Sequence, residues 1–397
     1  MKVLYNQIIE SNKFKSKSNF DFFNDVMKLD CCSIVRSTED LSVLESPRFV
    51  DWLKFKNFLI FGTGGSSLGG QTICTALKRS DKNINFVSNL DPNTLNDVLS
   101  STDFENTGFL FISKSGETLE TITQLLLILD ATENLSRFSD HFVIVTENKD
   151  STLKEIANKN KFICLDHPTT IGGRYSVFSL VGMIPALICG QDPRTIRSGG
   201  RRVLDNFGNS TYKIQEGAEF VFQNIRSNIT NHVSFVYSDK LVCFGSWLAQ
   251  LYAESSGKDF KGITPLTAVG AIDQHSQLQL YLDGPKDKCF TFFYEKQERS
   301  PIITSQEIPD KFAYLTGKSV SNIFESQCSA TLKTLVNAES NVRKIEVPPL
   351  DAMSLGALFM HFIVEVICVC KLMDVDPFNQ PAVEKGKILT KELLESL

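Results

Sequence analysis

Short, mostly apolar runs alternate with amphipathic helical patterns between residues 50 and 190. The runs contain many Phe, Ile and Val residues and lie at 58–61, 84–87, 109–112, 142–145 and 162–165. Runs of this length are typical of strands that are buried on both faces, and the helical patterns between them supply the crossovers. The pattern therefore predicts a doubly wound parallel sheet covered by helices on both faces, a three-layer α/β/α fold.

The alternation begins again near residue 230 and predicts a second domain of the same type. The predicted strands lie at 233–237, 290–294 and 344–347, and the predicted helices at 241–254 and 273–282. The polar segment 194–227 is predicted to join the halves as helices. We therefore divide the chain into an N-terminal helical segment (1–45), a first domain (46–195), a second domain (196–375) and a C-terminal helix (376–397).

Composition and charge narrow the class of protein. The chain has 397 residues, more than one hydrophobic core usually contains, and its apolar content of 42% is typical of soluble globular proteins. The net charge of −5 argues against a nucleic-acid-binding protein, which needs a basic surface. A small anionic ligand is compatible with this charge, because a local pocket need not follow the net charge.

The cysteines and the apolar segments indicate where the protein works. The ten cysteines lack metal-ligand spacing, so we interpret them as reduced thiols and expect no metal site. Residues 1–21 are polar, without the apolar core of a signal peptide. The longest apolar stretch, 357–370, is shorter than a membrane span and contains His361 and Glu365, which predicts a buried helix. We expect a cytoplasmic protein without a membrane partner.

A turn rich in Ser and Thr separates a predicted strand from a predicted helix. Residues 113–118 read Ser-Lys-Ser-Gly-Glu-Thr, after the strand at 109–112 and before a helical pattern at 119–130. Free backbone N–H groups and the helix dipole favour an anion at such a turn, and the hydroxyl groups point to a phosphate monoester. The alternative is a plain helix cap, in which Ser and Thr are also common.

A glycine-rich turn follows the first predicted strand, at residues 61–70. It lacks the Lys that ends a P-loop. It resembles a dinucleotide-binding loop only loosely, because the acidic residue at the expected distance, Asp91, lies beyond the second predicted strand. The pairing of this turn with residues 113–118 suits a sugar phosphate better.

Four segments in order along the chain resemble one enzyme family. The Ser-x-Ser-Gly-x-Thr turn is similar to that of sugar isomerase (SIS) domains, and the segments 170–176, 252–258 and 377–387 resemble signatures of the glucose-6-phosphate isomerase family. The likeness spans about residues 45–395. It implies two SIS domains and the reversible conversion of D-glucose 6-phosphate to D-fructose 6-phosphate in glycolysis and gluconeogenesis.

The resemblance implies that Glu254 is the catalytic base. A carboxylate within reach of C1 and C2 can take a proton from one carbon and return it to the other through a cis-enediol. The alternative is a surface carboxylate that pairs with Lys258 one helical turn later. Arg174 is implied as the charge that stabilises the enediolate, and its alternative is an ion pair between segments.

The resemblance also implies that His275 helps to open the sugar ring. In the family this histidine reaches into the active site of the neighbouring subunit, so a homodimer is implied. Better-known members read Gly-Thr-Asn-Gly-Gln-His where this chain has Gly-Ala-Ile-Asp-Gln-His at 270–275. The three changed positions concern the loop rather than the histidine itself.

The C-terminal segment is implied to complete the site with Lys387, for ring opening, and Gln380, for substrate contact. Gln380, Glu384 and Lys387 follow one another at intervals that place them on one helix face. The alternative is a solvated charged face. Asn379 and Ala382 replace the Asp and Gly that are usual in the family.

The remaining implied contacts bind the phosphate and the sugar. Phosphate contacts are assigned to Ser113, Lys114 (mainly through its backbone), Ser115 and Thr118. Gly65 and Ser66 are assigned to the sugar, and Gln250 is a substrate contact that shares a helix face with Glu254. Fixed donors and a base suffice for this chemistry, so we expect no metal and no other cofactor.

Two alternatives remain open at this point. One is a related isomerase that also accepts mannose 6-phosphate. The other is a regulatory protein that senses a sugar phosphate, which would need the 113–118 turn but not Glu254, His275 and Lys387 together. The joint presence of these three residues favours an enzyme.

Overall fold

Two five-stranded sheets organise the chain, whose computed structural model describes residues 6–10, 23–206, 212–297 and 300–397. The strands are β1 (Asn6–Glu10), β2 (Asn57–Phe61), β3 (Asn83–Val87), β4 (Thr107–Ile112), β5 (Phe142–Thr146), β6 (Ile163–Asp166), β7 (Asn231–Tyr237), β8 (Thr264–Val269), β9 (Lys288–Glu295) and β10 (Asn341–Val347). The α-helices are α1 (Phe23–Val26), α2 (Asp30–Ser33), α3 (Pro47–Trp52), α4 (Leu68–Leu77), α5 (Pro92–Ser101), α6 (Leu119–Thr132), α7 (Thr152–Lys159), α8 (Leu180–Ile188), α9 (Pro193–Asp205), α10 (Ile214–Arg226), α11 (Val242–Ser256), α12 (Leu278–Asp283), α13 (Val320–Asn337), α14 (Ala352–Leu372) and α15 (Glu384–Glu395).

The first sheet confirms the strands that were predicted between residues 50 and 190. Its order is β3-β2-β4-β5-β6, and all neighbouring strands are parallel. Because β3 lies on one side of β2 and β4 on the other, the winding reverses between β2 and β4. Ligands in such sheets bind beyond the carboxyl ends of the strands at this reversal. The turns that follow β2 and β4 are therefore placed where a ligand is expected.

The second sheet has the order β1-β10-β9-β7-β8. Strands β7 to β10 pair in parallel, and the doubly wound α/β fold of the second half is confirmed. Two strands differ from the sequence prediction. Asn6–Glu10 is not helical but pairs antiparallel with β10, whose edge offers free backbone groups. The edge strand β8 was not predicted, because Pro265 and Thr267 interrupt its apolar residues.

Helices α9 and α10 join the two halves, as predicted for the segment 194–227. The predicted domain boundary at 195/196 lies inside α9, which is one continuous helix. Helix α9 packs closely on α14: a Cβ atom at Gly199 would lie 2.0 Å from the carbonyl oxygen of Met353, and one at Gly356 would lie 1.9 Å from that of Ile196. Glycines are needed at this crossing, because any side chain would force the helices apart.

Helix α14 is the central helix of the structure. It is long and apolar enough to cross a membrane, but 94% of its most apolar window is buried inside the protein, as predicted for a core helix. One cluster of buried side chains extends from the first sheet through α8, α9, α11 and α14 to the second sheet. This shared core holds α11, which belongs to the second half, against the turns of the first sheet.

Candidate active site

Three turns at the carboxyl edge of the first sheet form one wall of the site. They follow β2 (residues 62–67), β4 (113–118) and β6 (167–174). The side chain of Lys114 connects two of them, because its Nζ donates to the carbonyl oxygen of Thr169 at 2.9 Å. Glu147 lies 3.5 Å from the same ammonium group. Lys114 therefore acts in this structure as a tether between turns as well as through its backbone.

No side chain of the 113–118 turn caps the N-terminus of α6, as a plain helix cap would do. Thr118 is the N-cap residue of α6, yet its side chain makes no cap hydrogen bond. Its hydroxyl instead lies 2.8 Å from that of Ser113, whose Oγ also accepts the N–H of Gly116. Ser113 is buried, whereas Ser115 is exposed and Thr118 is half-buried. The first N–H groups of α6 thus lack a side-chain cap, which is the arrangement that favours an anion.

The glycine-rich turn packs directly on the backbone that carries Arg174. A Cβ atom at Gly65 would lie 2.2 Å from the carbonyl carbon of Gly173, so only glycine fits there. Gly64 has φ +54°, and a Cβ atom at Gly64 would lie 2.8 Å from Nε2 of Gln250. This close approach brings Gly65 and Ser66 beside α11. The acidic residue Asp91, by contrast, caps α5 by accepting the N–H of Thr94 at 2.9 Å.

Arg174 is the most heavily bonded side chain of the site, and it is 2% exposed. Its Nε donates to Oγ of Ser255 at 2.8 Å, and its Nη1 lies 3.1 Å from Oε2 of Glu254. Nη1 also donates to Gln380 Oε1, and Nη2 donates to the carbonyl oxygens of Pro377 and Asn379. Arg174 therefore joins the first sheet, α11 and the C-terminal segment in one network.

The carboxylate of Glu254 is held between two donors and is 29% exposed. Gln250 Nε2 donates to Oε1 at 2.7 Å, while Arg174 approaches Oε2. Donors of this kind suit the ionised carboxylate, the form that accepts a proton.

The surface pair of Glu254 with Lys258 is not formed. Lys258 Nζ donates to the main-chain carbonyls of Glu254, Ser255 and Asp376, and burial together with Arg174 lowers its pKa.

The contact of Asn379 with Arg174 does not depend on the side chain that replaces Asp. Arg174 Nη2 bonds the main-chain carbonyl of Asn379 at 3.2 Å, a group that Asn and Asp supply alike. Ala382 lies in the exposed turn Pro381–Val383 before α15. Gln380 contributes its side-chain oxygen to the site, where it accepts a hydrogen bond from Arg174.

His275 lies on a well-fixed loop but outside this cluster. Asp273 Oδ2 accepts the N–H of Val269 at 2.7 Å, and its Oδ1 accepts Oγ of Ser276 at 2.7 Å. Burial raises the pKa of Asp273, but these hydrogen bonds outweigh it and leave the pKa below its usual value. The neighbouring Gln274 accepts the hydroxyl of Tyr237 at 2.9 Å. The imidazole itself is exposed, and no contact within the described residues joins it to Glu254 or Arg174.

Lys387 also lies outside the cluster. Its side chain is 68% exposed and pairs with Glu384 at 2.8 Å on the surface of α15. All described residues from 378 to 397 are exposed, including Ile388, Leu389, Leu393 and Leu394. Within the described residues of the chain, the structure thus joins Arg174, Gln250, Glu254 and Gln380, and leaves His275 and Lys387 apart from them.

Sequence reasoning did not assign the roles of three residues that hold the site together. Tyr175 donates its hydroxyl to the carbonyl oxygen of Pro377 at 3.2 Å and shares a 2.7 Å hydrogen bond with Ser255. Lys258 fixes the end of α11 to Asp376. Tyr175, Ser255 and Lys258 lie close to Arg174 and Glu254 in the sequence, and this proximity was the available signal.

Comparison with known proteins gives the same family as the motifs. The family model for phosphoglucose isomerase matches residues 51–397. A probable glucose-6-phosphate isomerase of Haloarcula marismortui is 33% identical over 341 residues, which cover 85% of this chain and 78% of the relative.

Solved structures show the same fold. A hypothetical protein of Thermus thermophilus is similar with a TM-score of 0.86 and 27% identity, over 92% of this chain and 90% of that chain. A glucose-6-phosphate isomerase of Chlamydia trachomatis has the fold with a TM-score of 0.78 and 21% identity, over 99% of this chain and 82% of that chain. The chain belongs to the phosphoglucose isomerase family.

Proposed function

We propose that this chain interconverts D-glucose 6-phosphate and D-fructose 6-phosphate, as an enzyme of glycolysis and gluconeogenesis in the cytoplasm. The observation that supports it most directly is the Glu254 carboxylate, held at 3.1 Å from Arg174 beside the turns of the first sheet. Family membership and the names of the relatives support the same reaction. The proposed reaction uses the chain's own side chains and needs no membrane or nucleic-acid partner.

Substrate binding begins at the phosphate. The N–H groups at the start of α6, together with the hydroxyls of Ser115 and Thr118, would hold the dianion, while Ser113 keeps the turn in shape. Lys114 adds a positive charge near the same turn. Gly65 and Ser66 line the sugar, and Gln250 and Gln380 contact its hydroxyl groups. The phosphate contacts at the 113–118 turn thus fix the C6 end of the sugar.

Proton transfer then takes place at the opposite end. The carboxylate of Glu254 takes the proton from C2 of the open aldose, and the electron pair of the broken C–H bond moves to give a cis-enediolate. Arg174 stabilises the negative oxygen of that intermediate. The hydroxyl proton of O2 moves to O1, Glu254 returns the carbon-bound proton to C1, and the C1–C2 double bond becomes the C2 carbonyl of the ketose, so no atom is gained or lost overall.

Ring opening is assigned to His275 and Lys387, with His275 supplied by a second copy of the chain. The support is that His275 is exposed, on a loop fixed by Asp273 and Gln274, beside the exposed apolar residues Ile272 and Leu280. Exposed apolar residues of this kind mark association surfaces. The apolar residues of α15 would add to the same homodimer, with 376–397 acting as an active-site helix.

The reaction is tested by a coupled assay on the purified protein with glucose 6-phosphate, fructose 6-phosphate and mannose 6-phosphate. We expect rapid interconversion of the first two and a kcat/KM for mannose 6-phosphate that is lower by roughly 10²-fold or more. Comparable rates on both aldoses would favour the broader isomerase. Binding without any turnover would favour the regulatory protein and contradict the proposal.

Sharing of His275 between subunits is tested by mixing two inactive variants, Glu254→Gln and His275→Gln, under conditions that exchange subunits. Half of the dimers would be hybrids with one intact site in two, so about one quarter of wild-type activity should return. As a control, Glu254→Gln is mixed with Arg174→Lys. These residues touch within one subunit, so no activity should return. Equal behaviour of both mixtures would contradict a shared site.

A further inference from the structure

A fully buried polar cluster lies behind the face of α11 that carries Glu254. Arg343 of β10 and Glu365 of α14 form a two-pronged ion pair, with Nη1–Oε2 at 2.7 Å and Nη2–Oε1 at 2.8 Å. Both side chains are 0% exposed. Gly217 of α10 leaves the space for this pair, since a Cβ atom there would lie 2.2 Å from Oε2 of Glu365.

Helix α11 is attached to this cluster through Tyr252. The hydroxyl of Tyr252 donates to Oε1 of Glu365 at 2.5 Å. On the other side of the carboxylate, His361 Nε2 lies 3.0 Å from Oε2. The Tyr252 ring also packs edge-on against His232, with 5.3 Å between centroids. Each oxygen of Glu365 thus has two partners, and one of the four comes from α11.

The donor and acceptor roles in the cluster are fixed. Burial raises the pKa of Tyr252 well above its usual value, so its hydroxyl keeps its proton. Burial also raises the pKa of Glu365, but Arg343 and His361 outweigh this effect and hold the carboxyl ionised. Burial, with Arg343 nearby, lowers the pKa of His232 to about 3. Tyr252 therefore donates this hydrogen bond and the Glu365 carboxylate accepts it at neutral pH.

Helix geometry connects this bond to the reaction. Residues two positions apart project from different sides of a helix, and here Tyr252 points into the core while Glu254 faces the site. The same helical turn is also held by the bond of Arg174 to Ser255 and by the bond of Lys258 to Asp376. Tyr252 attaches this turn to the buried core of the second sheet. Apolar residues of similar volume often stabilise a core as well as a buried ion pair does. Stability alone therefore does not explain the buried pair of Arg343 and Glu365.

We propose that Tyr252 is a positioning residue for the isomerase reaction. Its bond to the buried Glu365 sets the depth and rotation of the last turn of α11, and so the position of the Glu254 carboxylate relative to C1 and C2. This inference rests on the role of Glu254 in the proposed function. It assigns no contact between Tyr252 and the substrate.

The test is Tyr252→Phe, which removes one hydroxyl group and keeps the ring. A small displacement of the base should lower kcat about tenfold. KM should change less than about twofold, because the phosphate is bound by the first sheet. With glucose 6-phosphate deuterated at C2, the isotope effect on kcat should exceed that of the wild type, since proton removal becomes slower than the other steps.

The matched control is Tyr294→Phe. Tyr294 is buried in β9 on the opposite face of the second sheet, and Glu325 on α13 lies beside its hydroxyl. Both variants should have a lowered thermal midpoint, but only Tyr252→Phe should show the loss in kcat and the larger isotope effect. A folded Tyr252→Phe enzyme with wild-type kcat and isotope effect would overturn the inference.

A second variant covers the case in which Tyr252→Phe does not fold. His361→Leu removes one of the two partners of Glu365 Oε2 and leaves the pair with Arg343 in place, so the carboxylate that holds Tyr252 can shift, and kcat alone should fall by about two- to fivefold. No change in kcat would again overturn the inference. Failure of the proposed function is distinguishable, because the wild-type protein would then show no isomerase activity, or Glu254→Gln would keep that activity.

Discussion

Replacement of Glu254 by Gln is expected to lower kcat by roughly 10⁴-fold while KM changes little. The amide keeps the size of the side chain and can still bond to Gln250, but it cannot accept a proton from carbon. The contact with Arg174, 3.1 Å in the wild type, loses its charge, and Arg174 keeps its other oxygen partners. The site should therefore still bind the sugar phosphate.

The measurement compares initial rates in the coupled assay with affinity from equilibrium binding. The control is Glu155→Gln, which changes an exposed carboxylate on α7 of the first domain and should leave kcat unaltered. Near-normal turnover by a pure, folded Glu254→Gln preparation would remove Glu254 as the base. A tenfold or greater loss of binding with unchanged kcat would assign it to recognition instead.

Replacement of Arg174 by Lys should lower kcat by roughly 10³-fold, because an ammonium group cannot reproduce the fork of the guanidinium. Arg174 donates at once to α11 and to the segment 377–380. Lys would satisfy only part of these acceptors, so the segment should loosen and thermal stability should fall. In Arg174→Lys, the affinity for a planar anionic analogue of the enediolate should fall far more than the affinity for fructose 6-phosphate.

The variant Arg197→Lys separates the expected loss of kcat from the expected loss of thermal stability. Arg197 is also buried, at 1% exposed, and it forks onto Asp40 at 2.7 and 2.6 Å, but it contacts none of the site residues. Its replacement should reduce thermal stability and leave kcat near the wild-type value. If Arg174→Lys resembled Arg197→Lys in both properties, Arg174 would be a structural tether only.

The sequence was most informative where a single local pattern determines the structure. The buried strands of the first sheet are continuous apolar runs, and each was predicted. Strand β8 has exposed polar positions at the edge of its sheet, and β1 depends on pairing with β10 far along the chain. Neither property is visible in a short window, so both strands were missed.

The same distinction applies to the active site. Motifs identified Arg174 and Glu254, but nothing local indicates that the guanidinium would bond carbonyl groups about 200 residues away. The spacing of Glu254 and Lys258 favoured a surface pair, whereas tertiary structure directs Lys258 to main-chain carbonyls. His275 and Lys387 stay apart from Glu254 within the described residues of the chain. The ring-opening role that we propose for them would need contacts that a single chain does not contain.

In the proposed reaction, one carboxylate serves both carbons while the 113–118 turn anchors the phosphate. The most direct measurement is a crystal structure of Glu254→Gln with fructose 6-phosphate. We expect the phosphate to lie against residues 113–118 and the side-chain amide of residue 254 to lie about 3 Å from both C1 and C2. A sugar whose phosphate lies elsewhere, or whose C1 and C2 lie beyond about 5 Å from that side chain, would contradict it.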